Sequence, residues 1–277
     1  MKLVLFAGHR RSIVSCLHCW NLCRHPESPV TLAAVICVSE FSLKQLRTWM
    51  RRYGRELPAK IFSAFRLTGA NRFDEERAVF EQRARDCMLP SQELATLCRT
   101  LKVPIHIVSE INSDDTLGIL KKYAPELGLY TGGGILREPV INSFLRGVLN
   151  IHAGPLPQIR GMNATEWSLL CGLQPTSTLH FINKGIDTGP ILGTRPVSIV
   201  KGDSLAVVRA RTVLAGMDLL MASLPLLKAG KLTAVPQQPE SGLQYFSMSP
   251  ILKRIVERRL QKDGANLAAT GHCSKSE

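Results

Sequence analysis

An α/β fold with a doubly wound, mostly parallel sheet and a short C-terminal helical extension is predicted for these 277 residues by three observations. Apolar runs of strand length alternate with segments of helical periodicity. One run, Val30–Val38, is apolar almost throughout, as a strand covered on both faces requires. Glycines and prolines punctuate the ends of the runs, where the chain has to turn.

The elements follow in order. Lys2–Ala7 reads as a buried strand, the loop Gly8-His9-Arg10-Arg11-Ser12 as a tight turn, and Ser12–Cys23 as a helix closed by Pro26 and Pro29. Val30–Val38 is the second strand and Phe41–Arg55 a helix. Residues 56–90 are Arg-, Phe- and Gly-rich and are expected to form an insertion of loops and short helices. Ser91–Leu101 is a helix, Pro104–Val108 a strand and Asp114–Tyr123 a helix. Glu126–Thr131 is a strand running into Gly132-Gly133-Gly134, where backbone can approach a ligand because no Cβ intervenes. A strand carrying Asn150, a helix around Asn163–Cys171, a strand at Ser177–Asn183 and an extended element at Ile191–Val200 complete the α/β alternation. A long apolar helix spans Ser204–Ala229, Gln237–Tyr245 is a loop, and Ile251–Gln261 is a basic amphipathic helix. The expected organisation is a catalytic domain over 1–200 containing the 56–90 insertion, a helical extension over 201–263, and a disordered small-residue tail over 264–277.

Composition narrows the function classes. At 45% hydrophobic residues the chain can bury a full core. The apolar run at the N-terminus is shorter than the roughly 7–15 residues of an export signal, and no run approaches the roughly 18 residues of a membrane span. A cytoplasmic protein without membrane contact is expected. Eight irregularly spaced cysteines then read as reduced thiols. Cys16, Cys19 and Cys23 share a helix face with Trp20, as a core stripe would, and no second Cys/His pair at zinc spacing accompanies them, so no metal is expected. A net charge of +13 favours anionic partners, from nucleic acid to phosphorylated metabolites. The basic helices lack an aromatic stacking surface, which leaves a nucleic-acid-binding protein as the minor alternative.

The chemistry concentrates in Leu149–Gly161 and Gly185–Pro190. In a strand, residues i and i+2 share a face, so Asn150 and His152 project together while Ile151 points into packing. Pro155 and Pro157 end the strand, placing the pair at a strand terminus where open α/β sheets bind ligands. Asp187, between Gly185 and Gly189, is positioned to orient a histidine, raise its pKa and take up a proton through a water. An amide and a protonated imidazole suit the negative charge that grows on a carbonyl oxygen under attack by an amine. No Ser or Cys stands in a nucleophile motif, and acyl transfer to an amine demands none.

Asn150-Ile-His152 with Leu156-Pro157 and Arg160-Gly161, followed by Thr178-Leu-His180-Phe181 and Gly185-Ile-Asp187-Thr-Gly189-Pro190, resembles the two signatures of the folate-dependent formyltransferase family. The likeness is good over about residues 100–200 and loose over the first strand and helix. It implies a formyltransferase-like Rossmann variant with Asn150, His152 and Asp187 as catalytic residues and 10-formyltetrahydrofolate as co-substrate, with no metal. It carries the pterin walls onto Gly133, Gly134, Ile135 and Leu136 and onto Asn183, Lys184, Gly185 and Ile186. Arg10, Arg11, Arg160, Trp167, Thr178 and His180 are the candidate acceptor-binding residues. His9-Arg10-Arg11 replaces the glycine- and serine-rich phosphate loop of members acting on glycinamide ribonucleotide, which argues against that acceptor. The segment after residue 230 looks too short and helical for the β-barrel of members acting on initiator methionyl-tRNA, and a first strand at Lys2 leaves no room for the regulatory domain of the hydrolases. The expected acceptor is a small, anionic amine, foremost a nucleotide-linked amino sugar, then an amine or hydroxylamine of a natural-product pathway. Hydrolysis of the folate donor is the alternative enzyme reading. Monomer and homodimer are both left open.

Overall fold

The computed structural model describes residues 1–25, 28–39 and 70–263. The helix expected at 41–55, the first part of the 56–90 insertion and the tail from 264 lie outside the described residues.

The strands β1 (Lys2–Ala7), β2 (Thr31–Val38), β3 (Ile105–Val108), β4 (Leu127–Tyr130), β5 (Val148–His152), β7 (Thr176–Phe181) and β8 (Ile191–Pro196) form one sheet in the order β3-β2-β1-β4-β5-β7-β8. The pairings from β3 to β5 are parallel, and β5-β7 and β7-β8 are antiparallel. The doubly wound, mostly parallel sheet is therefore present, with an antiparallel edge. Side chains of β1 alternate between its two faces. Leu3, Leu5 and Ala7 enter a core shared with the helices α1 (Ile13–Arg24) and α3 (Leu94–Leu101). Val4 and Phe6 enter the opposite core, under α4 (Asp114–Tyr123) and the single turn α5 (Glu138–Ile141). Each wholly buried Leu or Phe contributes roughly 1.5–3 kcal/mol, so covering both faces is what makes the continuous apolar strands stable.

Three helix starts match sequence signals. Ser12, Ser113 and Ser204 each accept from the backbone N–H three residues on, as N-caps of α1, α4 and α7 (Leu205–Lys228). The last of these helices lies directly on the sheet. A Cβ on Gly216 would come within 2.2 Å of Ile151 Cγ2 and 2.3 Å of Ser177 Oγ, so only glycine permits this approach to β5 and β7.

Two expectations need correction. Within 56–90, residues Ala70–Asp86 form one helix of 17 residues, α2, and not loops and short helices. Its sequence is so rich in Arg and Glu that the narrow apolar stripe is easily missed, yet Phe80 and Ala84 pack with Leu17, Ala210 and Met217. The loop expected over Gln237–Tyr245 contains a further strand, β9 (Leu243–Tyr245), which pairs in parallel with β6 (Ile159–Gly161). Three residues carry no readable periodicity, and the pairing partner lies some 80 positions away. Helix α6 (Ala164–Leu170) and the C-terminal helix α8 (Pro250–Asp263) then close a small separate core around Leu169, Val208, Val256 and Leu260.

Among the described residues, no helix is long and apolar enough to cross a membrane and no cluster of His, Cys, Asp and Glu is arranged to hold a metal. Cys16 and Cys19 are buried in the core, and burial pushes the Cys16 thiol up to about 12. Cys23, at the last turn of α1, is exposed.

Candidate active site

Strand register assembles the site. The antiparallel pairing of β5 with β7 sets Asn150 opposite His180 and His152 opposite Thr178. Beyond β7 the chain curls back so that Asp187, in the left-handed region at φ 52°, returns over the ends of both strands. Asp187 Oδ2 lies 3.4 Å from His152 Nδ1, and Oδ1 lies 3.4 Å from the Asn150 amide nitrogen and 3.6 Å from His180 Nε2. The three residues that the two motifs single out thus converge, joined by His180.

Hydrogen bonding assigns the protons. The Phe181 carbonyl can only accept, so His180 donates to it from Nδ1 at 2.8 Å, and its Nε2 faces the Asn150 amide and Asp187. The Asn150 amide donates to that nitrogen at 3.1 Å and toward Asp187 Oδ1 with its other proton. With both N–H groups committed, the carbonyl oxygen of Asn150 is the part left to meet a ligand. Likewise His152 donates from Nε2 to the Ile159 carbonyl at 2.8 Å and turns Nδ1 toward Asp187.

Electrostatics place the charge on the aspartate. Burial pushes the Asp187 carboxyl up, but the His180 ring, His152 and the Gly161 N–H outweigh it, so Asp187 is held below the usual carboxylate range. His152 goes down: burial lowers its pKa and His180 adds to this, against the pull of Asp187 and the Ile159 carbonyl. The protonated imidazole expected from the sequence is thus disfavoured. His152 rests neutral, with a lone pair on Nδ1 directed at an ionised carboxylate.

In front of Asn150, His180 and Asp187 opens a cleft of about 160 Å³. Gly134, Ile135 and Leu136 line one side and Asn183, Lys184, Gly185 and Ile186 the other. Gly133 is not in the lining; a Cβ there would fall 2.8 Å from Ile111 Cδ1 and 3.1 Å from Val38 Cγ2. The remaining candidates lie elsewhere. Thr178 is wholly buried and its hydroxyl donates to the Gly154 carbonyl at 2.8 Å, a support for the loop after β5. The Trp167 ring stacks on Tyr245 with centroids 4.8 Å apart and donates to the Phe246 carbonyl, within the small C-terminal core. Arg160 donates to the Gly242 carbonyl and braces the β6-β9 pair. Arg10 and Arg11 are exposed at the start of α1, and Arg11 lines a different cavity.

Three contributors, Gln237, Tyr130 and Ile182, have no sequence signal, and a fourth, Gly161, stands in the Arg160-Gly161 motif without a role read from it. The Gln237 amide donates to the carbonyls of Asp187 (3.0 Å) and Gly189 (2.6 Å), pinning the curled loop from 50 residues away. Tyr130 donates to the Gly134 carbonyl at 2.7 Å, and Ile182 completes the apolar lining. Gly161 donates its N–H to Asp187 Oδ2 at 2.9 Å. At Gly161 φ is 94° and a Cβ would fall 2.2 Å from the Tyr245 carbonyl oxygen. Gly161→Ala is expected to separate β6 from β9 and lose that N–H, costing about 1–3 kcal/mol in stability. The Asp187 pKa should rise with it. Chemical denaturation and NMR titration of the aspartate check both, and an unchanged Asp187 titration would count against the contact.

A flat, mostly apolar cleft at the carboxyl ends of a parallel sheet, closed by Asn, Asp and two His residues, is the class of site that this chain's motifs resemble. Residues 93–224 match the model of the formyl transferase family. Methionyl-tRNA formyltransferase of Halorhodospira halophila is 35% identical over 46% of this chain and 41% of its own, and that of Thermodesulfovibrio yellowstonii is 27% identical over 60% and 53%. The chain spans about half the length of these curated relatives. Among solved structures, glycinamide ribonucleotide transformylase 1 of Symbiobacterium toebii shares the fold at TM-score 0.56 and 17% identity, over 86% of this chain and 94% of its own. A sugar N-formyltransferase from Shewanella does so at TM-score 0.56 and 16% identity, over 94% and 87%.

Proposed function

We propose that this chain transfers a formyl group from 10-formyltetrahydrofolate to the primary amine of a small anionic metabolite, foremost an amino sugar on a nucleotide carrier, next an amine or hydroxylamine of a natural-product pathway. The observation that carries the reading is the meeting of Asn150, Asp187, His152 and His180 at the closed end of the cleft. The residues fit the donor: Ile135, Leu136 and Ile182 suit the faces of a pterin, the backbone of 183–187 its polar edge, and exposed Lys184 the anionic glutamate tail beyond.

In this mechanism the Asn150 carbonyl oxygen and the Asp187 carboxylate accept N–H bonds from the acceptor amine and aim its lone pair at the formyl carbon. The new N–C bond forms as the bond from the formyl carbon to N10 breaks. Asp187 takes the proton shed by the attacking nitrogen, directly or through a water, and His152 Nδ1 stabilises the protonated carboxyl or accepts the proton in turn. The proton finally replaces the formyl group on N10, so no protein nucleophile and no metal is consumed.

The test is turnover of 10-formyltetrahydrofolate followed by absorbance, alone and with a panel of nucleotide-linked amino sugars and small amines. Release of tetrahydrofolate that requires an amine, with a formylated product by mass spectrometry, is the expected result. Equal formate release without any amine would establish hydrolysis instead. Formylation of methionyl-tRNA with no small amine accepted would overturn the acceptor class alone.

A further inference from the structure

We propose that Glu166 is a positioning residue for Asp187: through Asn163 it fastens the segment Gly161–Asn163 to the C-terminal part of the chain, and so fixes the backbone N–H that holds the catalytic carboxylate. Its bearing on turnover rests on the formyl-transfer reading; its hold on Asp187 does not.

The local spacing points to a different role. Asn163 is the N-cap of α6 and Glu166 stands three residues on, the spacing of a capping box, in which both side chains would serve backbone N–H groups at the helix start. Asn163 makes no such capping bond. Its amide donates instead to Glu166 Oε1 at 2.9 Å, and its Oδ1 accepts from the Met248 N–H at 3.0 Å. Asn163 also holds the left-handed region at φ 53°, which asparagine adopts more readily than most residues. The side chain is therefore a bridge between α6 and the segment leading into α8.

Glu166 is only 1% exposed. A carboxylate buried to that extent costs stability unless cations and hydrogen bonds surround it. Two cations do: Arg209 Nε from α7 and Lys253 Nζ from α8 each lie 3.7 Å from Oε1. Arg209 Nη1 also lies 3.5 Å from Glu76 Oε2 on α2. Helices α2, α6, α7 and α8 thus meet on two carboxylates and two cations whose charges balance. An apolar side chain could fill a buried position of this size at no loss of stability, so the feature to account for is what the carboxylate holds in place.

What it holds leads to the aspartate. Gly161, two residues before Asn163, donates its N–H to Asp187 Oδ2 at 2.9 Å, and Met162 between them donates its N–H to the Tyr245 carbonyl at 3.0 Å. Gln237 donates to the Asp187 backbone carbonyl. Gln237, Tyr245, Met248 and Lys253 all lie beyond residue 224, where the match to the family model ends. Apart from its contacts with Asn150, His152 and His180, the bonds that orient Asp187 therefore depend on the C-terminal segment, and Glu166 is where that segment is tied to the site.

The test compares Glu166→Ala, Glu166→Gln and Asn163→Gly in the whole chain. Glycine keeps the left-handed backbone at 163 while removing both side-chain bonds. In Glu166→Ala and Asn163→Gly, kcat for formyl transfer is expected to fall about tenfold or more, with KM for 10-formyltetrahydrofolate unchanged because the cleft walls are untouched. Glu166→Gln keeps an oxygen for the Asn163 amide and should lose less. NMR titration of Asp187 is the readout that a purely structural role would not move. The Gly161 N–H helps to hold the Asp187 pKa down, so loosening it should raise that pKa in both variants. Thermal melts show which variants are folded, and Asn163→Gly carries the test if Glu166→Ala is not. A parental Asp187 titration in folded Asn163→Gly overturns the proposal. A raised Asp187 pKa in a protein that transfers no formyl group would uphold the hold on Asp187 and remove the transferase reading, so the two can fail separately.

Discussion

Asp187→Asn is expected to lower kcat/KM for formyl transfer by about 10²–10⁴, the usual worth of a positioned acid–base group, while the protein still folds. Gly161 N–H and His152 Nδ1 both face Oδ2, so the asparagine oxygen in that position keeps the Gly161 bond while the amide nitrogen takes the Oδ1 position beside Asn150 and His180. What disappears is the negative charge and the proton acceptor. A second readout separates this from a packing effect. Asp187 is the group that pulls the His152 pKa upward against burial, so without it that pKa falls further. In the proposed mechanism His152 acts in its neutral form, so the acid limb of the residual activity should move to lower pH. Asn150→Ala and His152→Ala are expected to abolish transfer as well. Near-parental turnover in all three variants would remove the trio from the chemistry.

Lowering the pH from 7 to 5 is expected to cost about 2 kcal/mol of unfolding free energy through His18 alone. This side chain lies on the buried face of α1 at 3% exposure, and burial lowers its pKa from 6.5 to about 4. The folded state therefore binds this proton more weakly than the unfolded state. Stability from this source is complete above pH 6.5 and is lost as the pH falls toward 4. His152 shifts in the same direction and adds to the effect. Urea unfolding at both pH values, in the parent and in His18→Leu, isolates the contribution. The variant should lose about 2 kcal/mol less than the parent on acidification, and an equal loss in the two proteins would show that His18 is already neutral when unfolded or solvated when folded.

Much of the fold is visible in single stretches of sequence because burial on two faces leaves a local mark. Lys2–Ala7 and Asp114–Tyr123 fall where the apolar pattern puts them, and Val30–Val38 differs from β2 by one residue. The charged helix Ala70–Asp86 does not, because only a narrow stripe of it touches the core. The three residues of β9 do not either, since a strand that short exists only by virtue of its partner. At the site, Asn150, His152 and Asp187 are readable because a strand period and a glycine-flanked turn expose them, whereas Gln237 reaches the same loop through an ordinary amide in an ordinary segment.

The amino-acid order by itself determined the alternation of strands and helices and marked out Asn150, His152 and Asp187, the side chains that converge at the cleft. Each of these is a local property, set by side-chain period, turn residues and spacing. Only the tertiary structure decided that His152 rests neutral, that the amide of Asn150 is turned toward His180 and Asp187, and that Glu166 meets Arg209 and Lys253. Burial and register depend on residues distant in the chain, and a charge or a proton is settled by what surrounds it in space.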